Sequence, residues 1–182
     1  MEGGPIEPQT ECAYIRINRL DRSSDRPHPM YQPRTPGYRK NNAEMRWALP
    51  DRVFFACGAC HILAYAFLQR WGGLGMQAVW IKPAPGHTGN HVLIDGGEWV
   101  FDYHGYSAKL RFLAHVWRGA RQRWPGWDGT LVELPPDVLI SERKSRTYDG
   151  LWLREPGQFL HDAMPRAEAY LDRFGSPPNR TE

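Results

Sequence analysis

The chain has 182 residues, of which 41% are hydrophobic and 24% charged, a composition typical of one soluble globular domain with its own core. Its net charge of +3 is too small to indicate nucleic-acid binding by itself. No run of apolar residues approaches the 18 or so needed to span a bilayer, so we expect no membrane helix.

Two features indicate the compartment. Residues 1–12 lack the apolar segment of a secretory signal. The chain has three cysteines, an odd number that disfavours a disulfide framework and favours free thiols in a reducing environment. We therefore expect a cytoplasmic protein, or one exported without a visible N-terminal signal.

Prolines and scattered charges fill the first part of the chain. Residues 1–42 are predicted to be a largely irregular arm with one short edge strand at 13–17, and Cys12 lies in this arm without a predicted role. A single domain is predicted over 43–175, followed by a C-terminal tail at 176–182. This domain is expected to hold the functional site.

The most apolar part of the chain is residues 59–71, which contain neither Gly nor Pro. Their length favours a buried helix over a strand, and Gly72 and Gly73 predict its end. Residues 76–82 then predict a strand, followed by a loop over 83–90 that is rich in Pro and Gly.

A hairpin follows this loop. The apolar segments 91–94 and 98–102 flank Asp95-Gly96-Gly97, a strong turn signal. Two further helices and one strand are predicted, at 107–123, 157–174 and 130–134. The order indicates an α+β fold in which a central helix bearing a cysteine packs on an antiparallel sheet.

Three residues in this arrangement have the chemistry of a nucleophilic triad. Cys60 stands at the predicted start of the apolar helix, where unpaired N–H groups and the helix dipole favour a thiolate, and Gly58 allows a tight entry. His91 opens one strand of the hairpin and Asp102 closes the other. Because a short turn places the outer ends of two strands side by side, we expect His91 and Asp102 to be neighbours.

These residues resemble a known group of enzymes. Cys57-Gly58-Ala59-Cys60 is similar to the Cys-Gly-Ser/Ala-Cys entry to the nucleophile helix of papain-like proteases. His91 follows only 31 residues after Cys60, a short spacing that resembles the transglutaminase-like branch of that fold. There a cysteine helix precedes a strand, here 74–80, then a His strand and a strand with Trp and Asp, here 98–102. The resemblance spans residues 55–106, a little under a third of the chain.

The resemblance implies hydrolysis or acyl transfer at an amide through a thioester, with no metal or organic cofactor. His91 would act as base and then acid, and Asp102 would fix its tautomer. Protease, glutamine deamidase and transglutaminase activities remain open, with a protein or peptide as substrate and an oligomeric state that the sequence does not indicate.

The oxyanion hole is less well defined. The backbone N–H of Cys60 is one expected donor. Papain-like enzymes use a Gln shortly before the cysteine, but no Gln lies between Gln32 and Cys60. Asn41, Asn42 and the indole of Trp47 are the alternatives for the second donor.

Aromatic and histidine side chains near the hairpin are predicted to bind substrate. Trp99, His104 and Tyr106 are the residues assigned to this role, and His104 is also a possible substitute base. His61 is expected to point away from Cys60, because residues i and i+1 do not share a helix face.

Other functions fit some of the same residues. Cys57-Gly58-Ala59-Cys60-His61 matches the attachment motif of c-type haem. Zinc could use Cys57, Cys60, His87 and His91, making the chain a metal-stapled binding module; a catalytically inactive binding module without metal is also open. Residues 115–127 mix Arg with Trp, which can bind single-stranded nucleic acid. A solvated helix face with Trp in the core is the favoured interpretation, and nucleic acid is not an expected partner.

Overall fold

The structure is a computed structural model and describes residue 39 and residues 41–73 and 75–178. The predicted edge strand at 13–17 and Cys12 lie outside the described residues, as does most of the predicted arm.

The described chain is α+β, with one five-stranded antiparallel sheet in the order β4-β3-β2-β1-β5. The strands are β1 (Gln77–Pro83), β2 (His91–Asp95), β3 (Trp99–Asp102), β4 (Gly105–Ala108) and β5 (Gly129–Leu134). The helices are α1 (Ala43–Trp47), α2 (Asp51–Phe54), α3 (Cys60–Trp71), α4 (Lys109–Arg123), α5 (Glu142–Ser145) and α6 (Met164–Leu171). The predicted α+β class and the predicted strands at 76–82 and 130–134 are confirmed, whereas the sequence patterns did not predict α1, α2, β4 and α5.

Helix α3 covers one face of the sheet. Its inner side chains are apolar and buried, and the ring of Phe67 lies 4.5 Å from the ring of Phe101 on β3. Helix α6 packs against the same cluster through Tyr170 and Leu171. The helix predicted at 59–71 is confirmed, and Gly72 follows its last residue. Continuous burial explains why its apolar residues do not follow one narrow stripe.

Helix α4 covers the opposite face of the sheet. Val100 of β3 and Leu93 of β2 pack with Phe112 and Val116 of α4 in a second apolar cluster. Alternate residues of a strand point to opposite faces, so each strand contributes to both clusters. The predicted helix at 107–123 is confirmed, beginning two residues later.

The turn between β2 and β3 forms as its residues predict. The side chain of Asp95 accepts a hydrogen bond of 2.9 Å from the backbone N–H of Gly97, and the N–H of Gly96 donates to the carbonyl of Trp99. An Asp side chain that mimics a backbone turn in this way fixes the register of the strands that follow.

The C-terminal helix is shorter than the predicted 157–174. A 3₁₀ turn occupies Pro156–Gln158, and α6 spans only Met164–Leu171. Pro165 lacks a backbone N–H and is tolerated only in the first turn, so the helix cannot continue upstream of it. The prediction of one continuous helix was wrong for this reason.

The backbone is irregular just before α3. A kink within Phe55–Ala59 joins α2 to α3: the backbone of Cys57 and Gly58 is non-helical, and Gly58 has a φ of +106°. By length and composition alone, Asp51–Trp71 could cross a membrane. However, the backbone is non-helical at Gly58, and 67% of the most apolar window is buried within the fold. These residues therefore form the core of the domain.

Candidate active site

The three predicted triad residues meet at one end of the sheet. His91 is the first residue of β2 and Asp102 the last of β3, and both are 4% exposed. His91 is two residues from Leu93 on β2, and Asp102 is two residues from Val100 on β3. Both therefore lie on the same face as these two residues, which is the α4 side of the sheet. Cys60 begins α3 on the other side. The site therefore lies where the two layers meet around the end of the strands.

His91 and Asp102 are hydrogen-bonded. Nε2 of His91 lies 3.1 Å from Oδ2 of Asp102. A carboxylate only accepts, so Nε2 carries the hydrogen and Nδ1 is left to face the sulfur. Burial opposes ionisation of Asp102, but the charge and hydrogen bonds of His104 and His91 hold its pKa well below the usual range.

The environment of Cys60 favours a thiolate. The residue is half-buried, and hydrogen bonding with His61 and His91 acts on the pKa of its thiol. Burial raises the pKa of the thiol, but the two imidazoles lower it more, to about 5. For His91, burial lowers the pKa, while the hydrogen bonds and charges of Asp102 and Cys60 raise it to about 10. A thiolate–imidazolium pair is therefore the expected form at neutral pH.

His104 is a second partner of the triad carboxylate. Its backbone N–H donates to Oδ1 of Asp102 at 2.8 Å, and its Nδ1 lies 3.2 Å from the same oxygen. Burial lowers the pKa of His104, although Asp102 opposes this. Its contact is thus with the carboxylate, while His91 is the imidazole of the hairpin that contacts Cys60. This geometry favours His91 over His104 as the base.

Trp99 and Tyr106 lie in an aromatic cluster beneath α3. Trp99 is 9% exposed and packs edge-on against Tyr106, with 5.3 Å between ring centroids. Both rings also contact Phe67, and the Tyr106 hydroxyl donates to the carbonyl of Gly175. Trp99 is therefore a core residue and Tyr106 is half-buried against the core, and the substrate-binding role of the two rings stays a prediction.

His61 does not point away from the nucleophile, and that prediction was wrong. Its ring hydrogen-bonds Cys60, is 2% exposed, and donates from Nε2 to the carbonyl of Arg154 at 2.8 Å. Helical side chains lean towards the N-terminus, so a ring in the first turn can reach back to the preceding side chain. Only adjacency to the cysteine could have indicated this contact from sequence.

The haem and zinc alternatives lack geometric support. Cys57 is 1% exposed and Nε2 of His61 is committed to a backbone carbonyl, whereas haem attachment needs accessible sulfurs and a free imidazole. Within residues 41–73 and 75–178, no three His, Cys, Asp or Glu side chains are arranged to hold a metal ion. His87 lies in the loop before β2, where its N–H donates to the carbonyl of Ala84.

Two of the residues suggested as oxyanion donors also contact other parts of the structure. Oδ1 of Asn42 accepts the N–H of Met45 at 2.7 Å and caps α1. The indole ring of Trp47 packs edge-on against Phe54 and His161. The backbone N–H of Cys60 stays a prediction as the first donor.

The Arg- and Trp-containing segment has its rings engaged with the protein. Trp127 is 1% exposed, and its Nε1 donates to the carbonyl of Thr88. Trp117 packs edge-on against Trp127 and donates to Asp128, which also pairs with Arg121. These contacts fit the interpretation of a helix with Trp in the core better than a platform for stacking bases.

No protein-family model matches this chain, and neither the curated proteins nor the solved structures compared with it gave a match.

Proposed function

We propose that this protein is a cysteine-nucleophile enzyme that hydrolyses an amide, or transfers its acyl group, through a thioester. The observation that carries the proposal is the series Cys60–His91–Asp102, in which a half-buried cysteine at the start of a helix pairs with a carboxylate-bound imidazole. A helix N-terminus, a cationic neighbour and an orienting carboxylate are the three features that activate a thiol.

In the first half-reaction, the Cys60 thiolate attacks the carbonyl carbon and forms a C–S bond. As the tetrahedral intermediate collapses, the C–N bond breaks and the His91 imidazolium gives its proton to the leaving amine or ammonia. The hydrogen bond from Nε2 of His91 to Asp102 holds the ring so that Nδ1 faces the reacting atoms. The products of this step are a thioester on Cys60 and neutral His91.

In the second half-reaction, His91 takes a proton from water or from an acceptor amine, which attacks the thioester carbon. The C–S bond breaks, the acid or new amide leaves, and Cys60 returns as a thiolate beside protonated His91. Buried Asp102 stabilises the imidazolium in both resting and final states. Hydrolysis and transfer differ only in the second nucleophile.

We also propose that the fold is of the papain-like, transglutaminase-like type. A cysteine helix packed on an antiparallel sheet, followed by His and Asp on consecutive strands, supports this assignment. Under it, the substrate is a protein or peptide amide.

The first test is alkylation of the full chain with iodoacetamide between pH 4 and 9, followed by peptide mapping. We expect Cys60 to react with a midpoint near pH 5, because the two imidazoles lower its pKa to about 5. His91→Ala should raise this midpoint by about one to three pH units. Cys57→Ala is the matched control and should leave the midpoint unchanged. Equal, slow labelling of Cys60 and Cys57 would contradict the proposal.

The second test identifies the reaction. A peptide mixture is incubated with the enzyme, with and without a fluorescent primary amine, and analysed by mass spectrometry. New amino termini indicate proteolysis, conversion of Gln to Glu indicates deamidation, and amine incorporation indicates transfer. Cys60→Ala should abolish whichever product forms. A product that persists in Cys60→Ala would exclude the thioester route.

A further inference from the structure

His104 makes three contacts with the carboxylate of Asp102. Its backbone N–H donates to Oδ1 at 2.8 Å, and its ring Nδ1 lies 3.2 Å from Oδ1 and 3.3 Å from Oδ2. Oδ2 also lies 3.1 Å from Nε2 of His91. An Asp in a turn commonly accepts the N–H of the residue two positions on, but such a turn does not require the ring contacts. The proposed reaction uses only His91, so the ring of His104 needs a role.

These contacts determine where the hydrogen of the His104 ring lies. A carboxylate only accepts, so Nδ1 carries the hydrogen. Burial lowers the pKa of His104, and the charges of Arg52 on α2 and His91 on β2 act in the same direction, whereas Asp102 raises it. His115 on α4 also interacts electrostatically with His104. The lowered pKa favours a neutral ring at pH 7, which donates one hydrogen to the two carboxylate oxygens.

The ring of His104 is itself held in place. It packs on the ring of Tyr103, with 4.0 Å between centroids, and its side chain is 8% exposed. The carbonyl of Tyr103 accepts a hydrogen bond of 2.7 Å from the buried hydroxyl of Tyr170 on α6. Gly105 ends the turn with a φ of +96°, which favours glycine. The donor to Asp102 therefore comes from a fixed part of the structure.

We propose that His104 is a positioning residue whose Nδ1–H holds the carboxylate of Asp102 in the orientation in which Oδ2 meets Nε2 of His91. This inference rests on the proposed function, because the orientation of Asp102 matters to the reaction only if His91 is the base and acid. Rotation of the carboxylate about its Cβ–Cγ bond would break hydrogen bonds at both oxygens. His104 thus acts through Asp102 and exchanges no proton with the substrate.

An electronic effect of His104 would have the opposite sign. If Asp102 kept its orientation without the ring, loss of one donor would leave more negative charge on Oδ2, and the pKa of His91 would rise. If the ring holds the orientation, its loss weakens the bond between Asp102 and His91. The pKa of His91, which that bond helps to raise to about 10, would then fall.

Two substitutions separate the donor from the shape of the ring. His104→Phe keeps a planar ring that can pack on Tyr103, but it removes the Nδ1–H donor. His104→Asn places an amide N–H near the position of Nδ1 and so keeps a donor to Asp102. Both variants retain the backbone N–H that donates to Oδ1.

The full chain is used for two measurements. Imidazole NMR titration gives the pKa of His91, and alkylation of Cys60 against pH gives the midpoint of the thiol. His161→Phe is the matched control, because the ring of His161 also packs on an aromatic neighbour, Trp47.

We expect His104→Phe to lower the pKa of His91 by about one unit and to raise the alkylation midpoint of Cys60 by about half a unit or more. His104→Asn should retain most of the wild-type pKa, and His161→Phe should change neither value. An unchanged or raised pKa of His91 in His104→Phe overturns the inference, because packing alone or an electronic effect would then be sufficient.

The outcomes also separate this inference from the proposed function. A wild-type alkylation midpoint near that of an ordinary thiol would remove both. A low wild-type midpoint that rises in His91→Ala, together with an unchanged pKa of His91 in His104→Phe, would remove this inference alone. If His104→Phe does not fold, ¹⁵N imidazole spectra of the wild type decide. Nδ1 of His104 should be protonated at pH 7, and an unprotonated Nδ1 overturns the proposal.

Discussion

Asp102 shares its carboxylate between two histidines. Oδ2 faces Nε2 of His91, while Oδ1 accepts the backbone N–H of His104 and lies near its Nδ1. The side chain of Asp102 is 1% exposed, so its charge is little screened by water. One carboxylate therefore orients the base and also fixes the residue two positions later.

Replacing this carboxylate should change the titration of the site. In Asp102→Asn the amide still accepts the His104 N–H, but the charge that stabilises the His91 imidazolium is gone. The pKa of His91, which burial lowers and Asp102 and Cys60 raise to about 10, should therefore fall. With less positive charge beside the sulfur, the alkylation midpoint of Cys60 should rise from near pH 5. Imidazole NMR titration and alkylation measure the two changes.

Once a substrate is found, Asp102→Asn should lower the rate on the order of 10²- to 10⁴-fold, as loss of the orienting carboxylate does in other triads. Asp149→Asn is the matched control, because Asp149 is an exposed carboxylate paired with Lys82. Unchanged titration of His91 in Asp102→Asn would show that the carboxylate does not act on the base.

At the scale of elements, the junction between α2 and α3 places the nucleophile. The helical path is interrupted at Cys57 and Gly58, and regular α-helix resumes at Cys60. Because the break comes just before Cys60, the sulfur stands in the first turn of α3, where backbone N–H groups lack partners within the helix. A continuous helix through this region would have placed Cys60 in mid-helix, where no unpaired backbone N–H groups could stabilise a thiolate.

Gly58→Ala tests the junction. A Cβ at Gly58 would meet nothing within 4 Å, so the cost is conformational and arises from the φ of +106°. We expect a loss of about 1–3 kcal/mol in the free energy of unfolding, measured in urea, together with slower alkylation of Cys60.

Gly119→Ala is the matched control for this change. Gly119 lies in α4 with equal open space around it and no positive φ. Alanine there should stabilise the protein by about 0.5–1 kcal/mol. If Gly58→Ala and Gly119→Ala changed the free energy of unfolding equally, the positive φ at Gly58 would carry no cost for a residue with a side chain.

At the scale of the whole molecule, C-terminal residues support the site. The carbonyl of Arg154 anchors His61, and the hydroxyl of Tyr170 donates to the carbonyl of Tyr103, beside Asp102. On α6, Arg166 reaches back to the N-terminal helices. It donates to Asp51 and to two backbone carbonyls at the end of α1, and its guanidinium lies 4.1 Å over a Phe54 ring centroid.

Arg166→Lys should therefore destabilise the fold by about 2–4 kcal/mol, measured by urea unfolding. The single ammonium of Lys cannot donate at once to the three acceptors that the planar guanidinium of Arg166 reaches. Arg70→Lys is the control, since Arg70 pairs with Asp172 at the surface and should change stability by less than about 1 kcal/mol. Similar losses of unfolding free energy in both variants would show that the Arg166 contacts stabilise the fold no more than a surface ion pair does.

The sequence by itself determined the local framework of this protein. The apolar run of α3, the Asp95 turn and the pairing of His91 with Asp102 followed from periodicity, turn chemistry and a short hairpin, all of which act over a few residues. The expectation that Cys60 joins this pair came from the resemblance to papain-like enzymes.

Only the tertiary structure decided how the site is supported. The contact of His61 with Arg154 joins positions 93 residues apart, and the direction of the His61 ring depends on that contact. Trp99 is buried and Tyr106 half-buried because α3 covers their face of the sheet. Such outcomes depend on which surfaces meet after folding, and residue spacing along the chain does not encode them directly.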